Sequence, residues 1–461
     1  MGSIDITPVV IISHDVVGPK MAGPGIRYWE MARVLRQSLP VVLAIPNPVQ
    51  MSDVGVRLWP YQPGVWESIA PVVEAARVIV LCGDVLAWFP QLMEGKIPLV
   101  VDGYDPHPLE TLALFAGMPE QMQRHQARER ILQMQCQAGD FFLCASERQR
   151  DWWLGLLEAT GRINAYVYNA DPSLRQLLDV VPFGLPSAPP QHTKQVLKGV
   201  WSGIGPADKV VLWGGGLWQW LDPLTAIRAI ARVREQRDDV RLVFPGMRHP
   251  NAAIPDMPMA RQAQGLAAAL DLLGTYVFFG EWVPHSEWPN YLLEADVGLS
   301  LHFDTLETRL AFRSRMLDYM WAGLPMVVTG GDATGDLVAR QDLGRLVDFE
   351  DVEGVAQALL DVLAQPRATW EERFAEARAP LTWERAVEPL VQFCHHPCRI
   401  TSWSAPWSSS TSLGIPEVVR TRLDQQEQEL VRLRTLVAGY EQGRVMRLLR
   451  WGQQILQKRS Q

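Results

Sequence analysis

Short, nearly continuous apolar runs recur along the chain, each closing on Gly, Ser, Asp or Pro or a nearby aromatic residue. In the first half they are PVVIIS (8–13), PVVLAIP (40–46), VRLWPY (56–61), VIVLCG (78–83), PLVVDG (98–103) and DFFLCAS (140–146). Runs rich in Val, Ile, Leu and Phe without polar alternation predict strands buried on both faces. Helical patterns such as RYWEMARVLRQ and RERILQMQCQ lie between them. The second half repeats the scheme with KVVLWG (209–214), RLVFPG (241–246), YVFFG (276–280), VGLSLHF (297–303), PMVVTGG (325–331) and GRLVDF (344–349). Strand alternating with helix predicts an α/β fold with parallel sheets covered on both faces. Two such units, each about 180 residues, fit two doubly wound, Rossmann-like domains facing a cleft.

The stretch VVPFGLPSAPPQH (180–192) clusters prolines without a period and reads as the joint, with the boundary between 183 and 184. The second domain is expected to run to 380. Residues 381–400 then form a helix returning toward the first domain, and 401–415 a Ser- and Trp-bearing linker. Residues 416–461 read as a basic amphipathic helical tail. Its last stretch carries Arg444, Arg447, Arg450, Lys458 and Arg459 with no acid. Such a face fits an anionic membrane surface, and the polar, heptad-like stretch before it fits a partner helix or an oligomer contact.

Composition narrows the classes further. With 48% hydrophobic and 20% charged residues, the chain of 461 residues is neither disordered nor fibrous. A net charge of -8 excludes a chain built as a whole to coat nucleic acid. The N-terminus MGSIDITPVVIISHD lacks the basic start of a secretory signal. No run of 18 apolar residues spans a membrane. A cytoplasmic location follows, with peripheral contact to a membrane's inner face as the tail's option. Cys82, Cys136, Cys144, Cys394 and Cys398 read as ordinary reduced thiols, and no metal site is expected.

Several segments at strand ends have the residue types that chemistry needs. Gly214, Gly215 and Gly216 follow a strand and precede a helix capped by Asp222, a place where backbone can approach a phosphate. The stretch FDTLETRLAFRSRMLDYMWAGLP (303–325) leads into a helix expected from Phe312 to Ala322. Arg309, Arg313 and Arg315 sit at or before that helix start, where the macrodipole disfavours cations unless an anion binds there. Asp318 shares the face of Arg315 and suits a ribose's two hydroxyls. Gly23, Pro24 and Gly25 read as a flexible turn ahead of a helix. Asp102, Asp105, His107 and Glu110 offer carboxylates beside an imidazole for acid–base work. Ser146 and Gln149 resemble a capping box, with Arg150 and Arg162 beyond it as possible cleft residues.

Taken in order, the GPGIR turn, CASERQ, VVPFGLP, WGGGLWQWLDPLTAIRA and ETRLAFRSRMLDYMWAGLPMVVTGGD resemble a retaining group 1, family 4-like glycosyltransferase of the GT-B fold. The resemblance covers roughly residues 8–395. It implies an N-terminal acceptor domain and a C-terminal nucleotide-sugar donor domain. The implied catalytic residues are Glu307, Asp105 and His107. The implied donor-binding residues are Gly23, Gly25, Gly215, Gly216, Arg309, Phe312, Arg313, Arg315 and Asp318, with Val328 to Gly330 near the nucleotide. Backbone amides near Phe312 and Arg313 would meet the diphosphate. The chain departs from the family at three places. Ten residues separate Glu307 from Asp318 where the family has seven, which would put Leu310 at the first acid's position. The second acid is Asp rather than Glu. The family's diphosphate-binding Arg and Lys fall at Gly216 and Leu221. The three arginines at 309, 313 and 315 are expected to replace them.

The implied activity is transfer of a sugar from a nucleotide-diphosphate sugar to a hydroxyl acceptor, a lipid-linked one included, with retention. It would serve cell-envelope polysaccharide or glycolipid synthesis. The nucleotide sugar is a co-substrate, and no cofactor, metal or nucleic acid is expected. A sugar-nucleotide epimerase on the same fold and a catalytically weakened scaffold are the alternatives. The lack of a GxGxxG followed by an acid disfavours a nicotinamide dehydrogenase.

Overall fold

Seven parallel strands form the first sheet: β1 Val9–Ile12, β2 Val41–Ile45, β3 Val56–Pro60, β4 Val78–Leu81, β5 Leu99–Asp102, β6 Phe141–Cys144 and β7 Leu178–Val180. Their order is β3-β2-β1-β4-β5-β6-β7. Six more, also parallel, form the second: β8 Lys209–Leu212, β9 Val240–Phe244, β10 Val277–Phe279, β11 Val297–Ser300, β12 Met326–Thr329 and β13 Gly344–Val347. Their order is β10-β9-β8-β11-β12-β13. The computed structural model describes residues 7–399 apart from 52–54, 252–253 and 255–256, together with Glu429, Arg432 and Leu433. The expectations for 401–415 and 416–461 therefore lie outside the described residues except at those three, which are helical.

Twelve of the strands coincide with the apolar runs, and the central ones are buried along their whole length, as in β1, β2, β4, β5 and β6. Edge strands β3 and β13 alternate toward solvent. The exception is β7, whose three residues, LDV, pair with β6 in parallel register. Val180, expected to open the interdomain joint, is its last residue.

In each sheet the strand order reverses beside the first strand. β1 lies between β2 and β4, and β8 between β9 and β11. Crevices open there beyond the strands' carboxyl ends, so residues following β1, β4, β8 and β11 are placed to meet a ligand.

The segment expected as a Gly-Pro-Gly turn is the first turn of the helix Gly23–Leu35, with Ala22 as N-cap. Pro24 suits that position because its missing N–H would be unpaired there anyway. Gly25 is needed for close approach, since a Cβ would lie 2.3 Å from the Val16 carbonyl oxygen. A Cβ on Gly23 would meet nothing within 4 Å. Arg27, one turn on, is buried and grips Asp102 through Nε at 2.7 Å and Nη2 at 2.9 Å. It also donates to the carbonyls of Val181 and Pro182, tying helix, β5 and the strand-exit loop together.

In the second domain the helix expected from Phe312 begins at Ser314. A separate short helix, Leu306–Leu310, capped by Thr305, precedes it. Gly323, at φ +61, closes Ser314–Ala322 in the left-handed conformation that glycine adopts without strain. Tyr319 fixes this helix to the sheet. Its hydroxyl accepts from the Gly214 amide at 2.7 Å and lies 2.9 Å from the Leu212 carbonyl and 3.0 Å from that of Leu299. Gly298 leaves room for its ring, because a Cβ there would come within 2.5 Å.

After β13 the chain returns to the first domain. Leu185 bridges Thr382, Phe183 packs on Trp383 with centroids 4.7 Å apart, and Phe141 stacks on Phe393 at 4.8 Å.

The Tyr319 anchor gives a direct test. Tyr319→Phe keeps the ring and strands the Gly214 amide, so it is expected to lower unfolding free energy by about 1–3 kcal/mol. Denaturant unfolding of the two proteins measures this, with an unchanged slope expected.

Candidate active site

The second domain's side of the cleft is assembled by three strand ends. After β8, Gly215 takes φ +76, which turns the chain sharply and leaves its backbone bare. Gly216 is packed between Trp218 and Trp282. Arg315, from the first turn of Ser314–Ala322, reaches under this loop. Its Nη2 donates to the Gly216 carbonyl at 3.2 Å, and its guanidinium lies 5.1 Å from the Trp213 ring centre. Its Nη1 is buried without any hydrogen-bond partner. No carboxylate forms an ion pair with Arg315 among the described residues. Burial above all, and the charge of Arg313 next, lower its pKa to about 10. Gly216 is where the family pattern puts an arginine, and a guanidinium from another element lies beside it.

Arg313 has the opposite surroundings. Both terminal nitrogens contact Glu307, Nη1 to Oε1 at 3.0 Å and Nη2 to Oε2 at 2.7 Å. Its Nε lies 3.9 Å from Asp332, which caps the helix Ala333–Gln341 and approaches His302 at 3.0 Å. Burial holds the His302 pKa down at about 4, so this ring is neutral. Glu307 and Arg313 thus neutralise each other in the interior. The Arg313 amide donates to Thr334 and the Phe312 carbonyl accepts from the Tyr104 hydroxyl. Arg309 is exposed on the outer side of its short helix, and Leu310 is buried. Leu221 is buried too. Val328 to Gly330 close β12, where Thr329 Oγ1 contacts His302 at 2.8 Å.

Asp318 lies one turn beyond Arg315. Its Oδ2 accepts from the Trp288 indole at 2.9 Å. Burial pushes its pKa up to about 7, against the pull of Trp288 and Arg315. Beside Gly216, Trp218, His249 and Trp282 form an aromatic wall. The His249 ring centre lies 5.6 Å from that of Trp218 and 5.3 Å from that of Trp282. Composition made the tryptophans visible, but nothing local showed that they converge.

The first domain groups His14, Cys82, Asp105, His107 and Glu110 after its central strands, with Glu110 near enough to act on Glu307 and Arg313. His107 Nδ1 lies 3.2 Å from Glu110, and its Nε2 lies 3.7 Å from the Cys82 sulfur. Burial, reinforced by Glu110, holds the Asp105 carboxyl well above its ordinary range. Asp102, grouped with these residues in the sequence, is withdrawn into the pair with Arg27. Arg150 and Arg162, expected toward the cleft, instead bind carbonyls of Leu178, Ser173 and Gly139. Arg148 is the residue that crosses, reaching the Gly331 carbonyl and Asp336. Gln149 caps within its own helix and also donates to Leu310 across the cleft at 2.8 Å. Asn251 reaches Asp15 at 2.8 Å, and Trp282 donates to the Met21 carbonyl. The cleft is therefore bridged on both flanks.

Two facing doubly wound domains with this connectivity make the GT-B fold, the architecture of many nucleotide-sugar transferases. Solved structures agree. Sucrose-phosphate synthase from Thermosynechococcus elongatus matches with a TM-score of 0.60 at 17% identity, over 84% of this chain and 98% of that one. WaaG, a glycosyltransferase involved in lipopolysaccharide biosynthesis, matches at 0.55 and 14%, over 84% and 100%. Anabaena HepE, solved in complex with UDP and glucose, matches at 0.58 and 14%, over 85% and 98%. Residues 208–365, which span the second sheet, match the family described as glycosyl transferases group 1. No curated protein matches the sequence.

Asp318 yields a pH test. An unfolded Asp titrates near 3.8, and this one near 7 when folded. Below both values the group is protonated in either state and has no effect on stability. As pH rises between them only the unfolded chain releases its proton, so ionisation increasingly favours unfolding, and the cost is complete above the folded value. Asp318→Asn keeps an acceptor for Trp288 and removes this cost. Its melting temperature relative to the wild type is expected to rise from pH 4.5 to pH 7.5, by several degrees. A pH-independent difference contradicts the assignment.

Proposed function

We propose that the protein transfers a sugar from a nucleoside-diphosphate sugar to a hydroxyl acceptor, with retention of anomeric configuration. The observation that carries this reading is the half-buried Arg315 guanidinium beside the bare Gly214–Gly216 turn, with its Nη1 sealed from solvent without a hydrogen-bond partner and no carboxylate paired to it among the described residues. A desolvated guanidinium nitrogen without an ion-paired carboxylate suits an anionic ligand, and a planar guanidinium suits a diphosphate. The start of Ser314–Ala322 adds unpaired amides of the same sign. Asp318, one turn along, would accept ribose hydroxyls, and the aromatic wall of Trp218, His249 and Trp282 would offer flat apolar surface beside them.

Charge builds on the leaving diphosphate as the glycosidic bond breaks. Arg315 and the helix amides would stabilise that charge without being consumed. The departing phosphate would take the acceptor's proton on the face it leaves, so this reading needs no protein nucleophile and no resident metal. Asp105 and His107, across the cleft, would contact the sugar or the incoming hydroxyl. The contacts that bridge the cleft would hold both substrates together and limit water's access. A product of cell-envelope synthesis, a cytoplasmic location, and membrane or oligomer contact through residues 416–461 belong to the same proposal. The five basic residues of 444–461, with no acid among them, support the membrane contact.

Calorimetric titration with UDP, GDP, ADP and dTDP, without added metal, tests the donor half. One of the four is expected to bind, with affinity reduced about tenfold or more by Asp318→Ala. Incubation of the matching nucleotide sugar with and without a hydroxyl acceptor tests the reaction. Acceptor-dependent release of the nucleoside diphosphate is expected. Donor isomerised without an acceptor marks an epimerase, and no binding to any nucleotide defeats the proposal.

A further inference from the structure

The transfer reading leaves one group in the first domain's crevice unused. Cys82 follows β4 and is 3% exposed. Its sulfur lies 3.7 Å from His107 Nε2, while Nδ1 of the same ring lies 3.2 Å from Glu110 Oε2. Thiol, imidazole and carboxylate thus stand in the order that activates a cysteine nucleophile. His14 closes the other side, its ring edge-on to that of His107 with centroids 5.8 Å apart. Gly83, at φ +57, seats that ring, because a Cβ there would come 2.7 Å from it. The titratable groups that face the thiol are His14, Tyr28, Asp105, His107 and Glu110.

Burial alone would raise the thiol's pKa, and the two imidazoles reverse it to about 6. Cys136, Cys144 and Cys394 are buried without imidazoles, and burial pushes them up to about 11, 12 and 12. The His107 side chain, whose Nε2 contacts the sulfur, is 28% exposed.

We propose that Cys82 is a modification site, a thiolate paired with the His107 imidazolium that reacts with hydrogen peroxide to form a sulfenic acid. The sulfur attacks one peroxide oxygen and the O–O bond breaks. The leaving hydroxide takes the proton of His107 Nε2 and departs as water. Sulfur loses two electrons, and the peroxide gains them. The neutral His107 stays bound to Glu110. None of these steps depends on the transfer reading.

The full-length protein, treated with limiting hydrogen peroxide and the sulfenic-acid probe dimedone, tests this by mass-spectrometric mapping of each cysteine. At pH 7, Cys82 is expected to carry at least ~10-fold more adduct than Cys136, Cys144 or Cys394. Its labelling should fall as pH drops below about 6, the thiol's own value. His107→Gln should cut Cys82 labelling at pH 7 by ~10-fold or more and leave the exposed Cys398 unchanged. Glu110→Gln, a milder change, should reduce it in the same direction. Cys82 labelling no greater than that of the other buried thiols, or unaffected by both variants, overturns the proposal.

Discussion

A half-buried guanidinium without an ion-paired carboxylate is the constraint around which the second domain's site is arranged. Taking Arg315 out of water costs free energy that its one carbonyl contact and the face of Trp213 offset only in part. The structure tolerates this because the surroundings hold the side chain rigidly. Tyr319, one turn along the same helix, binds the Gly214 amide and two strand carbonyls. Helix and glycine turn therefore cannot move apart, and the guanidinium has nowhere to relax. An anion entering at Gly215 would supply the missing counter-charge.

The adjacent arginine shows what the alternative looks like. Arg313 is two residues away, yet Glu307 pairs with both its terminal nitrogens and Asp332 lies 3.9 Å from its Nε. The short helix Leu306–Leu310 turns Glu307 back toward the start of the following helix, which makes this pair. Its role is to hold the β11 and β12 loops together at the rim of the site. The two arginines thus divide the work. One fixes the walls, and the other is left for a ligand. The first domain is arranged in a similar way, with Arg27 and Asp102 as the structural pair and His107, Glu110 and Asp105 left facing the cleft.

The sheets were legible in the sequence because strands buried on both faces leave nearly continuous apolar runs. β7 was not, since three residues containing Asp179 carry too little hydrophobic signal. The glycine turn and Asp318 could be located from their places after a strand and within a helix. Which arginine was free could not. That depends on the direction in which Glu307 points, and so on a five-residue helix that no periodicity reveals. Arg148 was missed in favour of Arg150 and Arg162 because neighbours on one helix differ only in the face they present. The grouping of His14, Cys82 and His107 arises because three adjacent central strands, β1, β4 and β5, end side by side and bring distant residues together beyond their carboxyl ends.

Thermal denaturation of Arg315→Met, with and without saturating nucleoside diphosphate, tests most directly whether this guanidinium is held for a ligand. The account predicts that the variant is at least as stable as the wild type when ligand-free, because a partly desolvated charge without an ion pair has been replaced by an apolar chain of similar length. It also predicts that the nucleotide-induced rise in melting temperature disappears. A variant that is strongly destabilised without ligand and keeps the full nucleotide-induced rise would contradict it, and would make Arg315 a structural residue.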